Sequence, residues 1–383
     1  MRQRIVILGG GVGGVVAANE LRRRLPREVE ISVIDRERSH ALAASFLWVV
    51  MGWRRSQDIS RDLDRLQRKG INFINAEVAG LDLENRVVFA DGRSLDYDYL
   101  IIALGAELAP ERVPGFSSGA HTFYSLEAAQ KLRERLLSFS DGSVVILISS
   151  TPFKCPAAPY EAALLLDSHF RQGRSRGQVE LQVFTPEALP MLSAGPELGK
   201  AVVGMLTGRG IAFHPNTKVS LVDPERREVI FEGDERVKYD LLIGIPPHHA
   251  PTVVHEAGLT NESGWIPVDS HTLKTKVDRV YALGDITSIR LPSGTPLPKA
   301  GVFAHAQAKV VAESIATELT AQGHSKAFDG RGSCFIEMGN GIAAYASGDF
   351  YAEPRPAISL HPPGRMWHWG KVFFEKYWFW RWF

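Results

Sequence analysis

Ile5-Val6-Ile7-Leu8-Gly9-Gly10-Gly11-Val12-Gly13-Gly14 sets four apolar residues directly ahead of a glycine-rich turn. The apolar run suits a buried parallel strand, and residues 15–25 follow with helical spacing until Pro26 stops them. Gly9, Gly11 and Gly14 satisfy G-x-G-x-x-G between that strand and that helix. Gly9 permits the tight turn, Gly11 lets the backbone approach a pyrophosphate, and Gly14 lets helix and strand pack closely. The helix N-terminus then offers unpaired N–H groups to the phosphates. Residues 30–34 read as the next strand. Asp35 at its end is placed to accept a hydrogen bond from an adenosine ribose hydroxyl. These residues predict a dinucleotide site; by themselves they leave FAD and NAD both open.

Outward from this unit the α/β pattern continues. Residues 58–69 read as a polar helix, and strands are expected at 71–75, 78–82 and 86–89, with Asp91-Gly92 as a hairpin turn. A buried strand over 97–104 ends at Gly105. A second α/β stretch starts near Thr122, with helices at 126–137, 156–171 and 196–209 and strands at 143–148 and 179–184. Residues 239–244 repeat the pattern of 97–102. After 280–285 come a helix over 301–319 and two strand-like segments. The expected fold is α/β, two Rossmann-like dinucleotide-binding domains with the first interrupted by the second. Its divisions are 1–120 and 237–320 for the first domain, 121–236 for the second, and 321–383 for a C-terminal region.

The 383 residues carry 44 Lys+Arg against 43 Asp+Glu, so no basic field for nucleic acid exists. Two cysteines are too few for a disulfide scaffold but enough for one redox pair. No window of about 18 apolar residues is present, so a spanning helix is not expected. The chain runs straight into a strand without a signal-peptide pattern, which favours the cytoplasmic face of the cell membrane for a peripheral protein. Five of the eight tryptophans lie in the last 17 residues, a stretch with ten aromatic side chains. Read as a helix, this tail is a peripheral anchor on a lipid surface, its rings at the interface and Lys371, Lys376 and Arg381 reaching headgroups. The alternative for it is a core or dimer-packing helix.

The turn after the 143–148 strand, Ser149-Ser-Thr-Pro-Phe-Lys-Cys-Pro156, contains no glycine, which argues against a second pyrophosphate site. It carries Cys155 just ahead of a helix. The helix N-terminus and Lys154 are both expected to favour a thiolate, and Glu161 is placed as a nearby proton acceptor. Cys334 lies 179 residues further on, and spacing cannot show whether the two meet. The histidines, His248, His249 and His305 included, form no set at metal-ligand spacing, so no metal is expected.

Two later elements, Ile101-Ile-Ala-Leu-Gly-Ala106 and Val280-Tyr-Ala-Leu-Gly-Asp285, resemble the remaining signatures of two-dinucleotide-binding-domain flavoproteins, a glutathione-reductase-like arrangement. The resemblance implies FAD, with Gly105, Gly284 and Asp285 against it and the Val78 backbone at its adenine. Thr151-Pro-Phe-Lys-Cys-Pro-Ala-Ala-Pro-Tyr-Glu161 resembles the active-site segment of the sulfide:quinone oxidoreductase and flavocytochrome c sulfide dehydrogenase family. That likeness implies a redox disulfide between Cys155 and Cys334, over a flavin that passes electrons from sulfide to a membrane quinone. The stretch from Ser45 to Arg54 is similar to that family's Ser-Asn-Pro-Trp-Val-x-x-Gly-Trp segment, with Phe46-Leu47 replacing Asn-Pro. Leu297-Pro-Lys-Ala-Gly-Val-Phe303 is similar to its Pro-Lys-x-Gly segment, which adds Ser45 and Lys299 to the implied cofactor residues. A third cysteine present in many members is missing here. Residues 40–46 also lack the cysteine that holds flavin covalently in flavocytochrome c, so a non-covalent FAD is implied. The competing readings are a type II NADH:quinone oxidoreductase and a non-catalytic FAD-bound scaffold; a homo-oligomer is left open.

Overall fold

Arg4–Leu8 sits at the centre of a five-stranded parallel sheet in the computed structural model, which describes residues 3–323 and 326–383. The strand order is Val280–Ala282, Tyr99–Ile102, Arg4–Leu8, Glu30–Asp35, Asn72–Asn75. Ile5, Ile7 and Leu8 are fully buried, as the unbroken apolar run requires of a strand covered on both faces. Helices Val12–Arg24 and Gly301–Thr320 pack against each other. A three-stranded antiparallel ribbon, Val78–Asp82, Val87–Ala90 and Arg93–Asp96, follows the first strands, and its Asp91-Gly92 turn has φ of 43° and 72°. Positive φ at both positions is what a two-residue hairpin turn demands.

A second parallel sheet orders Ala212–His214, Val179–Phe184, Gly142–Ile148 and Leu241–Ile245. Its own ribbon is Val219–Asp223, Glu228–Phe231 and Arg236–Lys238, so two α/β units with matching parts are present. Leu241–Ile245 pairs with the second sheet, Val144 opposite Leu241 and Ile148 opposite Ile245. The return to the first sheet therefore comes later than residue 237. The apolar runs at 97–102 and 239–244 are alike and suit a central strand of either sheet; pairing alone decides.

Residues 58–69 are not an α-helix. Ser60–Asp62 is a strand beside Ser39–Ala41, and Leu63–Lys69 is a 3-10 helix. Ile59, Leu63 and Leu66 are buried, and the Leu63–Leu66 interval of three matches the 3-10 repeat. At the C-terminus three antiparallel strands occur rather than two: Arg331–Gly339, Ile342–Asp349 and Ala357–Gly364. The last carries Pro362 and Pro363, which hide it as a strand and confine it to the sheet edge.

Helix Arg365–Trp382 packs on this sheet and on Val12–Arg24. Its faces are inverted. Lys371, Glu375, Trp378, Phe379 and Trp382 point inward and are buried. Met366, Trp369, Phe373, Tyr377 and Trp380, at successive steps of three and four, form an outer apolar face, with Trp369, Phe373 and Trp380 at 65%, 70% and 77% exposure. Core packing and an outward aromatic surface each describe one side. The expected headgroup role of Lys371 and Arg381 does not hold: Lys371 bonds Glu161 inside, and Arg381 reaches Glu20 at 3.4 Å. Among the described residues no helix is long and apolar enough to cross a membrane.

Candidate active site

One cavity of about 1440 Å³ runs between the two α/β units and the C-terminal sheet. Gly9, Gly11, Asp35, Val78, Gly105, Cys155, Glu161, Gly284, Asp285, Lys299 and Cys334 all line it. Ser45 does not. Its buried hydroxyl donates to Glu375 Oε2 at 2.7 Å, and Arg54 Nε holds Glu375 Oε1 at 2.7 Å. Ser45 and Arg54 thus clamp the C-terminal helix, while Phe46 and Leu47 of the same segment line the cavity.

At the nucleotide end, Gly9 has φ of 100°, and a Cβ there would lie 2.4 Å from the Ala103 carbonyl oxygen. A Cβ on Gly14 would lie 1.8 Å from the Gly9 oxygen, so only glycine lets helix Val12–Arg24 seat on the turn. A Cβ on Gly11 would meet nothing within 4 Å; that backbone is open to the cavity. No acidic residue occupies the first turn of the helix, leaving its dipole free for an anion. The Asp35 carboxylate accepts N–H bonds from Gly10 and from Glu37, the latter at 2.7 Å. Burial raises its pKa and those two bonds oppose the rise. His40, which sequence reasoning passed over, ties this turn to the tail. Its Nδ1 donates to the Gly10 oxygen at 2.9 Å and its Nε2 accepts from Trp378 Nε1 at 3.1 Å. Burial lowers its pKa to about 4, so the ring is neutral. A lone histidine 338 residues from its partner leaves no signal in the sequence.

Midway along the cavity, the Gly284 N–H donates to Gln307 Oε1 at 2.7 Å, and Asp285 Oδ1 is buried with no hydrogen-bond partner. Such an orphaned acceptor is costly unless a ligand hydroxyl or N–H meets it. Lys299 is occupied by protein: its Nζ donates to the carbonyl oxygens of Asp285 (2.6 Å) and Thr287 (3.2 Å) and lies 3.4 Å from the Trp265 ring centroid. Burial lowers its pKa to about 8.

Cys155 lies in the left-handed region at φ 51°, an uncommon conformation for a residue with a side chain. Its N–H donates to the Lys299 oxygen at 2.7 Å, and its carbonyl accepts from the Ala158 N–H at 2.8 Å. The expected thiolate is not what the structure favours. The helix begins at Ala158, beyond Pro156, and Lys154 turns away to the Ala106 oxygen at 3.2 Å. Cys155 lines the cavity, whose walls desolvate it. Burial, then the Glu161 charge, pushes its pKa up to about 12, with Lys371 opposing. Cys334, on strand Arg331–Gly339, is likewise pushed up by burial and then by Cys155 and Glu161. Both thiols are free in this structure and close enough to feel one another.

Both thiols feel a buried ion pair on the same cavity, Lys371 Nζ to Glu161 Oε1 at 2.6 Å. Burial raises the Glu161 pKa and Lys371 counters it. Lys371 stands 210 residues from its partner in the tail, where it reads as one more surface charge. Glu161→Gln removes the charge that opposes thiolate formation and leaves the Lys371 cation to favour it. Alkylation of Cys155 by iodoacetamide at pH 8, followed by peptide mass, is expected to quicken by about tenfold. An unchanged or slower rate would contradict this placement of charge.

The family model for pyridine nucleotide-disulphide oxidoreductases matches residues 3–150 and 160–309. The chain belongs to that family. The match breaks over 151–159, the glycine-free turn that carries Cys155. The mitochondrial sulfide:quinone oxidoreductase of Mus musculus is 26% identical over 363 residues, 91% of this chain and 79% of its own length. The sulfide-quinone reductase of Aquifex aeolicus is 27% identical over 409 aligned positions, covering 100% of this chain and 91% of that protein. The X-ray structure of the Aquifex aeolicus sulfide:quinone oxidoreductase superposes with a TM-score of 0.90 at 25% identity, over 99% of this chain and 91% of that one. The fold is that of an FAD oxidoreductase. The open Gly11 backbone, the bare helix N-terminus and the orphaned Asp285 oxygen fit FAD.

Proposed function

We infer that this protein oxidises sulfide at Cys155 and Cys334 and passes the electrons through non-covalent FAD to a membrane quinone. The observation that carries this reading is the cavity itself, which joins both cysteines and their Glu161–Lys371 pair to the nucleotide-binding glycines. With the two cysteines bridged, hydrosulfide attacks one sulfur and breaks the S–S bond. A persulfide forms on one cysteine and a thiolate on the other. Closure of the persulfide onto the thiolate gives a three-sulfur bridge, one proton and two electrons. A second hydrosulfide then removes the added sulfur as HS2− and restores the disulfide. FAD held along Gly9, Gly11 and Asp285 would supply the two-electron acceptor for this step and the link to the quinone. Overall, 2 HS− + quinone + H+ → HS2− + quinol. Lys371 steadies the anionic sulfur, and Glu161 accepts the proton lost at bridge closure.

The fit of a nicotinamide dinucleotide is poor, since Pro152 and Phe153 occupy the turn where a pyrophosphate needs bare backbone. The outer aromatic face of Arg365–Trp382 supports a peripheral place on the bilayer. Phe374 and Trp378 of that helix also line the cavity, which opens a path for quinone from the lipid side. Anaerobic turnover with sulfide and a short-chain quinone tests the reading: one quinol is expected for each sulfane sulfur released, and quinol formation from NADH alone would overturn it.

A further inference from the structure

Gly9, Gly10 and Gly11 have the backbone freedom of residues without a Cβ, and a pyrophosphate bound there requires them ordered. Two bonds to Gly10 limit that freedom. Its N–H donates to Asp35 and holds the Gly9–Gly10 peptide. Its carbonyl oxygen accepts from His40 Nδ1 at 2.9 Å and holds the Gly10–Gly11 peptide. A trans peptide is planar, with N–H and C=O on opposite sides, so the grip on the Gly10 oxygen also sets where the Gly11 N–H points. Gly9, Gly11 and His40 all line the cavity.

Which nitrogen of His40 carries the hydrogen is decided in the tail. The indole N–H of Trp378 can only donate, so His40 Nε2, 3.1 Å away, is the acceptor. The single hydrogen of the neutral ring is then on Nδ1, facing the Gly10 oxygen. The opposite tautomer would set a lone pair against that oxygen. Both rings are buried, His40 at 4% and Trp378 at 1% exposure, and Phe383 lies 5.3 Å from the imidazole. The same helix bonds the first domain at Ser45, Arg54, Asn19, Lys69 and Glu20, none of which belongs to the glycine turn. We propose that Trp378 and His40 are positioning residues for FAD, through which the C-terminal helix holds the Gly10–Gly11 peptide in its pyrophosphate-binding orientation. The proposal rests on the reading of FAD as non-covalently held. It makes cofactor retention depend on a helix whose other face is the exposed aromatic surface.

Release of FAD from the loaded protein, read as the rise in flavin fluorescence after dilution, tests the relay. His40→Leu leaves the Gly10 oxygen without a donor and is expected to release FAD about tenfold faster than wild type. His40→Asn, whose amide N–H stands near the place of Nδ1, is expected to stay within about twofold. Trp378→Phe keeps an aromatic ring and loses the N–H, which frees the imidazole to change tautomer; release is expected to quicken by about threefold or more. In the His40→Asn background the same Trp378→Phe change is expected to add nothing, because the amide donates whatever the tail does. Nitrogen-15 spectra of the histidine-labelled holoprotein, with the His40 signal assigned by its loss in His40→Asn, are expected to show the hydrogen on Nδ1. A wild-type release rate in His40→Leu, equal quickening by Trp378→Phe in both backgrounds, or a His40 hydrogen on Nε2 would each overturn the relay. Flavin that stays attached to the denatured wild-type chain would instead overturn the non-covalent reading beneath it.

Discussion

Cys155→Ser and Cys334→Ser are each expected to lower the rate of sulfide-dependent flavin reduction by about a thousandfold or more. A hydroxyl forms no bridge with the remaining thiol, so hydrosulfide has no S–S bond to break and no sulfur to which it can add. Either change removes the same bond. The double variant is therefore expected to be no worse than either single one, the non-additivity of groups that act as a unit. Neither side chain is a main support of the fold. Cys155 faces the cavity, and Cys334 is half-buried with only a weak Sγ contact to the Phe335 oxygen at 3.3 Å. Thermal unfolding with FAD bound should consequently change little, which separates lost chemistry from lost structure. A near-normal rate in both variants would remove the bridge from the mechanism.

The outer face of Arg365–Trp382 leads to the second large effect. Trp369, Phe373 and Trp380 are mostly exposed, and together with Met366 and Tyr377 they make a contiguous apolar surface of the kind soluble monomers avoid. Lys376 stands beside it with 63% side-chain exposure, adding a cation at its rim. Burying a large apolar side chain is worth roughly 1.5–3 kcal/mol. Replacing Trp369, Phe373 and Trp380 together with Ser should thus weaken vesicle binding by about 3–4 kcal/mol, on the order of 10²–10³-fold. Co-sedimentation with phospholipid vesicles reads this directly, and reduction of a water-soluble quinone should persist. Binding equal to wild type would assign the face to another partner. Trp378→Ala, on the buried face, is expected to cost folding stability instead.

The nucleotide end of the cavity was legible because its chemistry is local: Gly9, Gly11, Gly14 and Asp35 lie within one strand–turn–helix–strand unit. Cys155 and Glu161 were legible for the same reason, being six residues apart at one helix start. Their electrostatics were not. The thiol's pKa depends on burial and on where Lys154 and Lys371 point, and no residue-type pattern records direction. His40 gives no sequence signal, and Lys371 reads as a headgroup cation, because helix Arg365–Trp382 makes their contacts across long stretches of chain. The tail itself misleads a helical reading. Aromatic residues occupy both faces, so its composition shows an unusual helix without showing that Lys371 and Glu375 are its inside. Ser45 was misassigned by analogy along the chain: the segment sits beside the cavity, but its hydroxyl turns to Glu375.

Sulfide, acting through the cysteine pair, is the proposed electron donor. Anaerobic stopped-flow mixing of the FAD-loaded protein with sulfide, and separately with NADH, tests it without a quinone or a membrane. Rapid loss of the oxidised flavin spectrum with sulfide, and none with NADH, is the predicted result. Bleaching by NADH with a flavin indifferent to sulfide would contradict it.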